Sequence, residues 1–211
     1  MTTFVCIRHG ESEANRLGLF AGHLNVPLTA LGRRQAALTR DFLKNEEFDL
    51  AVASPLLRAY ETGSIALGDR SLPLLPEEGF LEIDGGLWEG VPFADLPERF
   101  PEGYAVWKNT VGLAHPDEGE RVADLGERVW KTVKRLALEN PDRRILVASH
   151  ATPIRMLRVR SLGLSPAEAH TVPWPSNASV SVFCVEGDSI TSTDYDLCGH
   201  ITAPTRLSSL I

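Results

Sequence analysis

Three short apolar runs share one layout along the chain. Phe4-Val5-Cys6-Ile7 leads into Arg8-His9, Leu50-Ala51-Val52-Ala53 into Ser54-Pro55, and Ile145-Leu146-Val147-Ala148 into Ser149-His150. Near-continuous apolar strands are the mark of a parallel sheet buried on both faces. Helical periodicity separates them. From Ala30 to Lys44 the pattern predicts a helix capped by Thr29, with Leu31, Leu38 and Phe42 on one face. Ser54-Pro55 reads as the start of another, with the serine as cap and the proline in the first turn. From Glu120 to Leu138, Val122, Leu125, Val129, Val133 and Leu136 follow helical spacing closely. Ser165-Pro166-Ala167-Glu168 has the form of a capping box. Residues 178–185 and 190–195 read as strands turned at Glu186-Gly187-Asp188. Alternating strands and helices predict an α/β fold: a three-layer α/β/α sandwich around a mostly parallel central sheet.

Residues 84–118 interrupt this rhythm. They are rich in glycine, proline and aromatics, including Trp88, Phe93, Phe100, Tyr104 and Trp107. Apolar side chains continue through the segment, so it reads as a lobe inserted into a single domain spanning 1–211 rather than as a linker. The polar tail after Cys198 is expected to be loose. With 211 residues, 43% hydrophobic and 23% charged, the chain can bury a sizeable core. Its net charge of −7 argues against a duplex nucleic-acid binder, although a local arginine cluster can still dominate a cleft. Cys6, Cys184 and Cys198 form no C-x-x-C pair, and free thiols suit a reducing compartment. No leader-like pattern opens the chain, and no apolar segment approaches ~18 residues. A cytoplasmic protein with no membrane partner is the expectation. The sequence leaves the oligomeric state open.

Ligands of open parallel sheets bind beyond the carboxyl ends of the strands. Arg8-His9 and His150 follow apolar strands directly, and Arg58 sits about one helical turn past another. They can therefore converge on one crevice. The guanidinium fork suits phosphate oxygens, and a neutral imidazole can attack phosphorus.

The elements carrying these residues resemble the histidine phosphatase superfamily, also called the phosphoglycerate mutase-like family. Arg8-His9-Gly10-Glu11-Ser12 with Asn15 matches its signature, and Ser54-Pro55-Leu56-Leu57-Arg58-Ala59 with Thr62 its second element. Leu81-Glu82-Ile83-Asp84, followed by Gly86, Trp88, Glu89 and Gly90, matches the acid loop, and Ser149-His150 the last element. The resemblance implies that His9 is the nucleophile, forming a phosphohistidine. It implies that Arg8, Arg58, His150 and Asn15 grip the phosphoryl oxygens, with Gly10, Gly22 and Ala151 bordering them. Glu82 would protonate the leaving alcohol and then help activate water. No metal and no cofactor are implied, and the partner is a small phosphorylated metabolite. Physical logic runs the same way: two nearby guanidiniums disfavour a charged imidazole, and a neighbouring phosphate favours a protonated carboxyl. His23, in the loop that borders the substrate in relatives, is a weaker candidate for substrate contact, as are Trp107 and Tyr104 as pocket walls.

The chain departs from the family pattern in places. Ala151 stands where the family usually has glycine, and Gly119-Glu120-Arg121 replaces a common Gly-Glu-Ser element, with Arg121 expected on the helix surface. Cofactor-dependent phosphoglycerate mutases carry a Trp followed by two arginines in the lobe. Here that stretch is Trp107-Lys108-Asn109-Thr110. A site with fewer cations favours phosphomonoester hydrolysis over the alternative, a mutase. A third reading, a catalytically silent regulatory or binding module, is opposed by the intact set Arg8, His9, Arg58, Glu82 and His150.

Overall fold

Alternation along the first strand divides the molecule into two cores. In the computed structural model, which describes residues 1–201, strand β1 (Thr2–Arg8) directs Phe4 and Cys6 to one side of a sheet and Val5 and Ile7 to the other. The sheet is completed by β2 (Leu50–Ala53), β3 (Leu74–Pro76), β4 (Arg144–Ser149), β5 (Val180–Glu186) and β6 (Ser189–Leu197). It is six-stranded, in the order β3-β2-β4-β1-β5-β6. The pairs among β1, β2, β3 and β4 are parallel. β5 runs antiparallel to β1, and β6 antiparallel to β5. The fold is thus α/β with a mixed, mostly parallel sheet, as the apolar runs predict.

Helices cover both faces. After the short α1 (Glu13–Leu17), helices α2 (Ala30–Phe42) and α3 (Leu57–Leu67) lie between β1 and β3 in the chain. The core that holds Val5 and Ile7 also holds Leu43, Ala66 and Leu67 from this part of the chain. The lobe contributes α4 (Leu96–Arg99) and α5 (Pro101–Asn109), followed by α6 (Val122–Glu139) and, past β4, α7 (Ala151–Ser161). The five α6 positions named from periodicity are all buried, each contributing about 1.5–3 kcal/mol of apolar burial. They share a core with Phe4, Cys6 and Val147 from the sheet, and with Trp88, Phe93, Tyr104 and Trp107 from the lobe. Among the described residues no helix is long and apolar enough to cross a membrane.

Two expectations need correction. On α2 the buried face is Gly32, Gln35, Ala36 and Thr39, not Leu31, Leu38 and Phe42. Leu31 and Leu38 are half-buried, and Phe42 is 47% exposed, stacked on His200. Small residues face inward because the backbone must come close: a Cβ on Gly32 would meet the Glu11 carbonyl at 2.0 Å, and one on Gly10 the Gly32 carbonyl at 2.4 Å. Thr29 caps this helix as expected, accepting from Gly32 N–H at 3.0 Å. Ser54 does not cap α3: the N-cap is Leu56, without a side-chain cap, because the serine hydroxyl is engaged elsewhere. Strand β3 escapes a periodicity reading altogether, being three residues long and ending in proline. The tail beyond residue 201, expected to be loose, lies outside the described residues.

Truncating the α6 seam tests where the core lies. Leu125→Ala should destabilise the fold by about 2–5 kcal/mol in urea unfolding, because Leu125 is fully buried. Leu138→Ala, at a side chain 75% exposed, should change stability by less than about 0.5 kcal/mol. Equal effects of the two variants would contradict the assigned helix face.

Candidate active site

Strand register brings the polar residues together. Ile7 pairs with Ala148, and Ala148 with Ala53, so the three strands end in step. Arg8 lies opposite Ser149, Ser54 N–H bonds to the Ala148 carbonyl, and His9 N–H bonds to the Ser149 carbonyl. The next residues along, His9 and His150, therefore meet edge-to-face with ring centroids 5.1 Å apart.

Both arginines are buried and fixed by backbone carbonyls. Arg8 Nη1 donates to Pro175 O at 2.6 Å. Arg58 donates through Nη1 to Leu24 O and through Nη2 to Gly22 O, each at 2.7 Å. Gly22 adopts φ +47, and a Cβ there would strike the Glu89 carboxylate, so this loop needs glycine to present its carbonyl. Burial lowers both guanidiniums to about 10, partly offset by the Glu82 carboxylate, so both stay charged at neutral pH. Arg8 Nε, Arg58 Nε and His150 Nδ1 are buried with no hydrogen-bond partner among the described residues.

Both imidazoles are held neutral. Burial, then the charges of Arg58 and Arg8, push His9 well below its ordinary value. Burial, then Arg58, does the same to His150. His9 Nδ1 lies 2.7 Å from the Gly10 carbonyl and must donate to it, so the lone pair of a neutral His9 sits on Nε2. Thr62 secures this turn from α3: its Oγ1 accepts from Gly10 N–H at 3.1 Å and donates to Arg58 O at 2.6 Å.

A cleft opens in front of His9. Its polar wall is Arg8, His9, Asn15, Arg58, Glu82 and Thr152, and its apolar wall includes Leu19, Phe20, Ile83, Phe93 and Trp107. Ala21, Gly22 and Ala151 complete it. Gly10 and His150 are buried and are not among the lining residues, and Tyr104 is buried in the core shared with the sheet. Glu82 Oε1 accepts from Ile83 N–H at 2.9 Å, and Oε2 approaches Thr152 N at the start of α7 at 3.4 Å. His23 does not line the cleft. Its Nε2–H donates to Glu82 O at 2.9 Å, tying one loop to the other. Asn15 Oδ1 accepts from Ser12 and from Asn177 Nδ2 at 3.1 and 3.3 Å, which turns the amide N–H₂ into its remaining polar function. Ala151 opens α7 and is not among the positive-φ residues, so a methyl at this position requires no left-handed backbone. Arg121 is exposed.

Sequence reasoning missed two residues here. Asn177 donates to the His9 carbonyl at 2.9 Å, from a Ser-Asn pair before β5 that no motif marks. Ser54 lies 2.7 Å from His150 Nε2, although local sequence reads it as a helix cap.

The chain is similar to known proteins of one family. The family model of the histidine phosphatase superfamily (branch 1) matches residues 4–196. The adenosylcobalamin/α-ribazole phosphatase of Escherichia coli (strain K12) is 39% identical over 165 residues, covering 77% of this chain and 80% of that protein. Phosphoserine phosphatase 1 of Hydrogenobacter thermophilus is 29% identical over 186 residues, 88% of each chain. The solved structure of YhfR from Bacillus stearothermophilus superposes with a TM-score of 0.90 at 25% identity, covering 95% of this chain and all of that one. With that family match spanning most of its length, the chain belongs to the histidine phosphatase superfamily, branch 1, as a phosphatase of small phosphorylated substrates.

Proposed function

We propose that the chain is a single-domain, cytoplasmic, metal-independent phosphomonoesterase that works through a phosphohistidine on His9. The observation that carries this reading is the Gly10 carbonyl on His9 Nδ1, which leaves a neutral Nε2 lone pair beside two buried guanidiniums. In the first step Nε2 bonds to phosphorus and the bond from phosphorus to the ester oxygen breaks. The departing alcohol takes its proton from Glu82. In the second step water attacks the phosphohistidine, gives its proton to Glu82 and releases phosphate from His9. Arg8, Arg58, Asn15, His150 and the Ala151 N–H hold the phosphoryl oxygens. In a loose transition state such positioning and charge neutralisation supply most of the catalysis.

The lobe, residues 84–118, supplies the Phe93 and Trp107 walls that receive the alcohol. Apolar walls favour a leaving group with an apolar face over one carrying further charges. Among the substrates named for the relatives, α-ribazole phosphate therefore comes before phosphoserine as the first ester to assay.

Rapid-quench experiments with a chromogenic ester should trap phosphate on wild-type protein but not on His9→Ala, with turnover unchanged by EDTA. Glu82→Gln should slow esters of ordinary alcohols by about 100-fold or more, while p-nitrophenyl phosphate, whose leaving group needs no proton, should be affected far less. Isomerisation of 3-phosphoglycerate primed by a bisphosphate, with little hydrolysis, would overturn the assignment in favour of a mutase.

Neutral buried imidazoles also set a pH dependence. With folded values pushed below the ordinary 6.5, the unfolded chain binds more protons between the two values. Their contribution is fully present above pH 6.5 and is lost as pH falls toward the folded values. Urea unfolding should show stability dropping below pH 6.5 by up to about 1.4 kcal/mol per pH unit for each imidazole. His150→Gln should remove about half of that slope, and an unchanged slope would argue that His150 is charged in the fold.

A further inference from the structure

A serine that the sequence offers as a helix cap is wholly buried and spent on an imidazole. Ser54 Oγ lies 2.7 Å from His150 Nε2, and both residues are fully buried. Among the described residues, the only other bond to that hydroxyl oxygen is a long one, from Leu56 N–H at 3.4 Å. His150 Nδ1 is buried and has no partner among the described residues.

Hydrogen-bond accounting decides the direction of the Ser54–His150 bond. If Nε2 carried the proton and donated to Ser54, the serine hydrogen would have no acceptor among the described residues, and Nδ1 would be a buried, empty lone pair. Two groups would then be unsatisfied, each costing about 1–3 kcal/mol. If Ser54 donates to Nε2, its hydrogen is used and its oxygen accepts from Leu56. The one unsatisfied group left is an Nδ1–H. That group is a donor, next to His9 and to two arginines whose Nε donors likewise have no partner among the described residues. An anion held at His9 is what such donors require, whereas an Nδ1 lone pair would repel it.

We propose that Ser54 is a positioning residue that fixes His150 in the Nδ1–H tautomer and so keeps it a hydrogen-bond donor to the phosphoryl group. The inference rests on the phosphohistidine reading only for the identity of the anion. The tautomer itself is a property of the protein without substrate.

Long-range proton–nitrogen correlation on protein labelled with ¹⁵N-histidine reads the tautomer directly. In wild-type protein His150 should show a protonated Nδ1 and a bare Nε2. A protonated Nε2 overturns the proposal, whatever the enzyme's activity. Ser54→Ala should give a mixture of tautomers and lower kcat/KM by about 10-fold or more, and Ser54→Thr, which keeps the hydroxyl, should restore both. Should Ser54→Ala fold poorly, the wild-type spectrum and Ser54→Thr still decide. A pure Nδ1–H form in folded Ser54→Ala would equally overturn the role given to Ser54. If the tautomer is as stated but no phosphoenzyme forms on His9, the phosphohistidine reading fails and the role of Ser54 in setting the tautomer stands.

Discussion

Two guanidiniums and two imidazoles are buried together where β1, β2 and β4 end, and the rest of the site follows from keeping that arrangement tolerable. A buried cation must be hydrogen-bonded, and here the partners are backbone carbonyls of Pro175, Leu24 and Gly22. Carbonyls hold a guanidinium in place without cancelling its charge, as a carboxylate in contact would. The positive field is therefore preserved for a ligand, and it adds to burial, the larger cause, in keeping His9 and His150 neutral. One constraint thus supplies both a cationic pocket and two neutral imidazoles.

Topology makes the arrangement possible. The chain leaves β1 toward β2 on one side and returns from β4 to β5 on the other, so the crevice forms where neighbouring connections part. Register then sets the spacing, because parallel strands ending in step put Arg8, Ser149 and Ser54 in one row and the histidines in the next. The loops in front are tied crosswise: His23 holds the Glu82 carbonyl, and Glu89 Oε1 accepts from His23 N–H and Gly85 N–H. The loop carrying Glu82 is thereby fixed to the loop that holds Arg58.

What sequence could reveal tracks what is local. The apolar runs of β1, β2 and β4 and the seam of α6 are read from neighbours in the chain, and each forms as expected. The buried face of α2 was illegible because Gln35 and Thr39 are buried by tertiary partners: Gln35 Oε1 accepts from Glu11 N–H, and Thr39 Oγ1 donates to Ala178 O. Ser54 misleads for the same reason. Serine before proline is a good cap locally, and only the register of β2 against β4 reveals a histidine within 2.7 Å. Asn177 has no local signal at all, since its meaning lies in the carbonyl of His9, distant in sequence.

The lobe shows why the shape of the cleft and stability are coupled in this chain. Phe20 and Trp107 face the cleft, yet they also pack edge-to-face at 5.1 Å, and Trp107 stacks on Trp174 at 5.8 Å. The buried Arg155 guanidinium lies 4.0 Å above the Trp174 ring and closes the column from behind. Truncating a wall aromatic therefore opens a cavity in the core shared with the sheet, at a cost of about 3–5 kcal/mol. Leu19 and Ala21 also line the cleft but stand outside both core clusters. Changes there can reshape the wall without opening the core, so the shape of the cleft has room to drift at these two positions while the aromatic column stays constrained by folding.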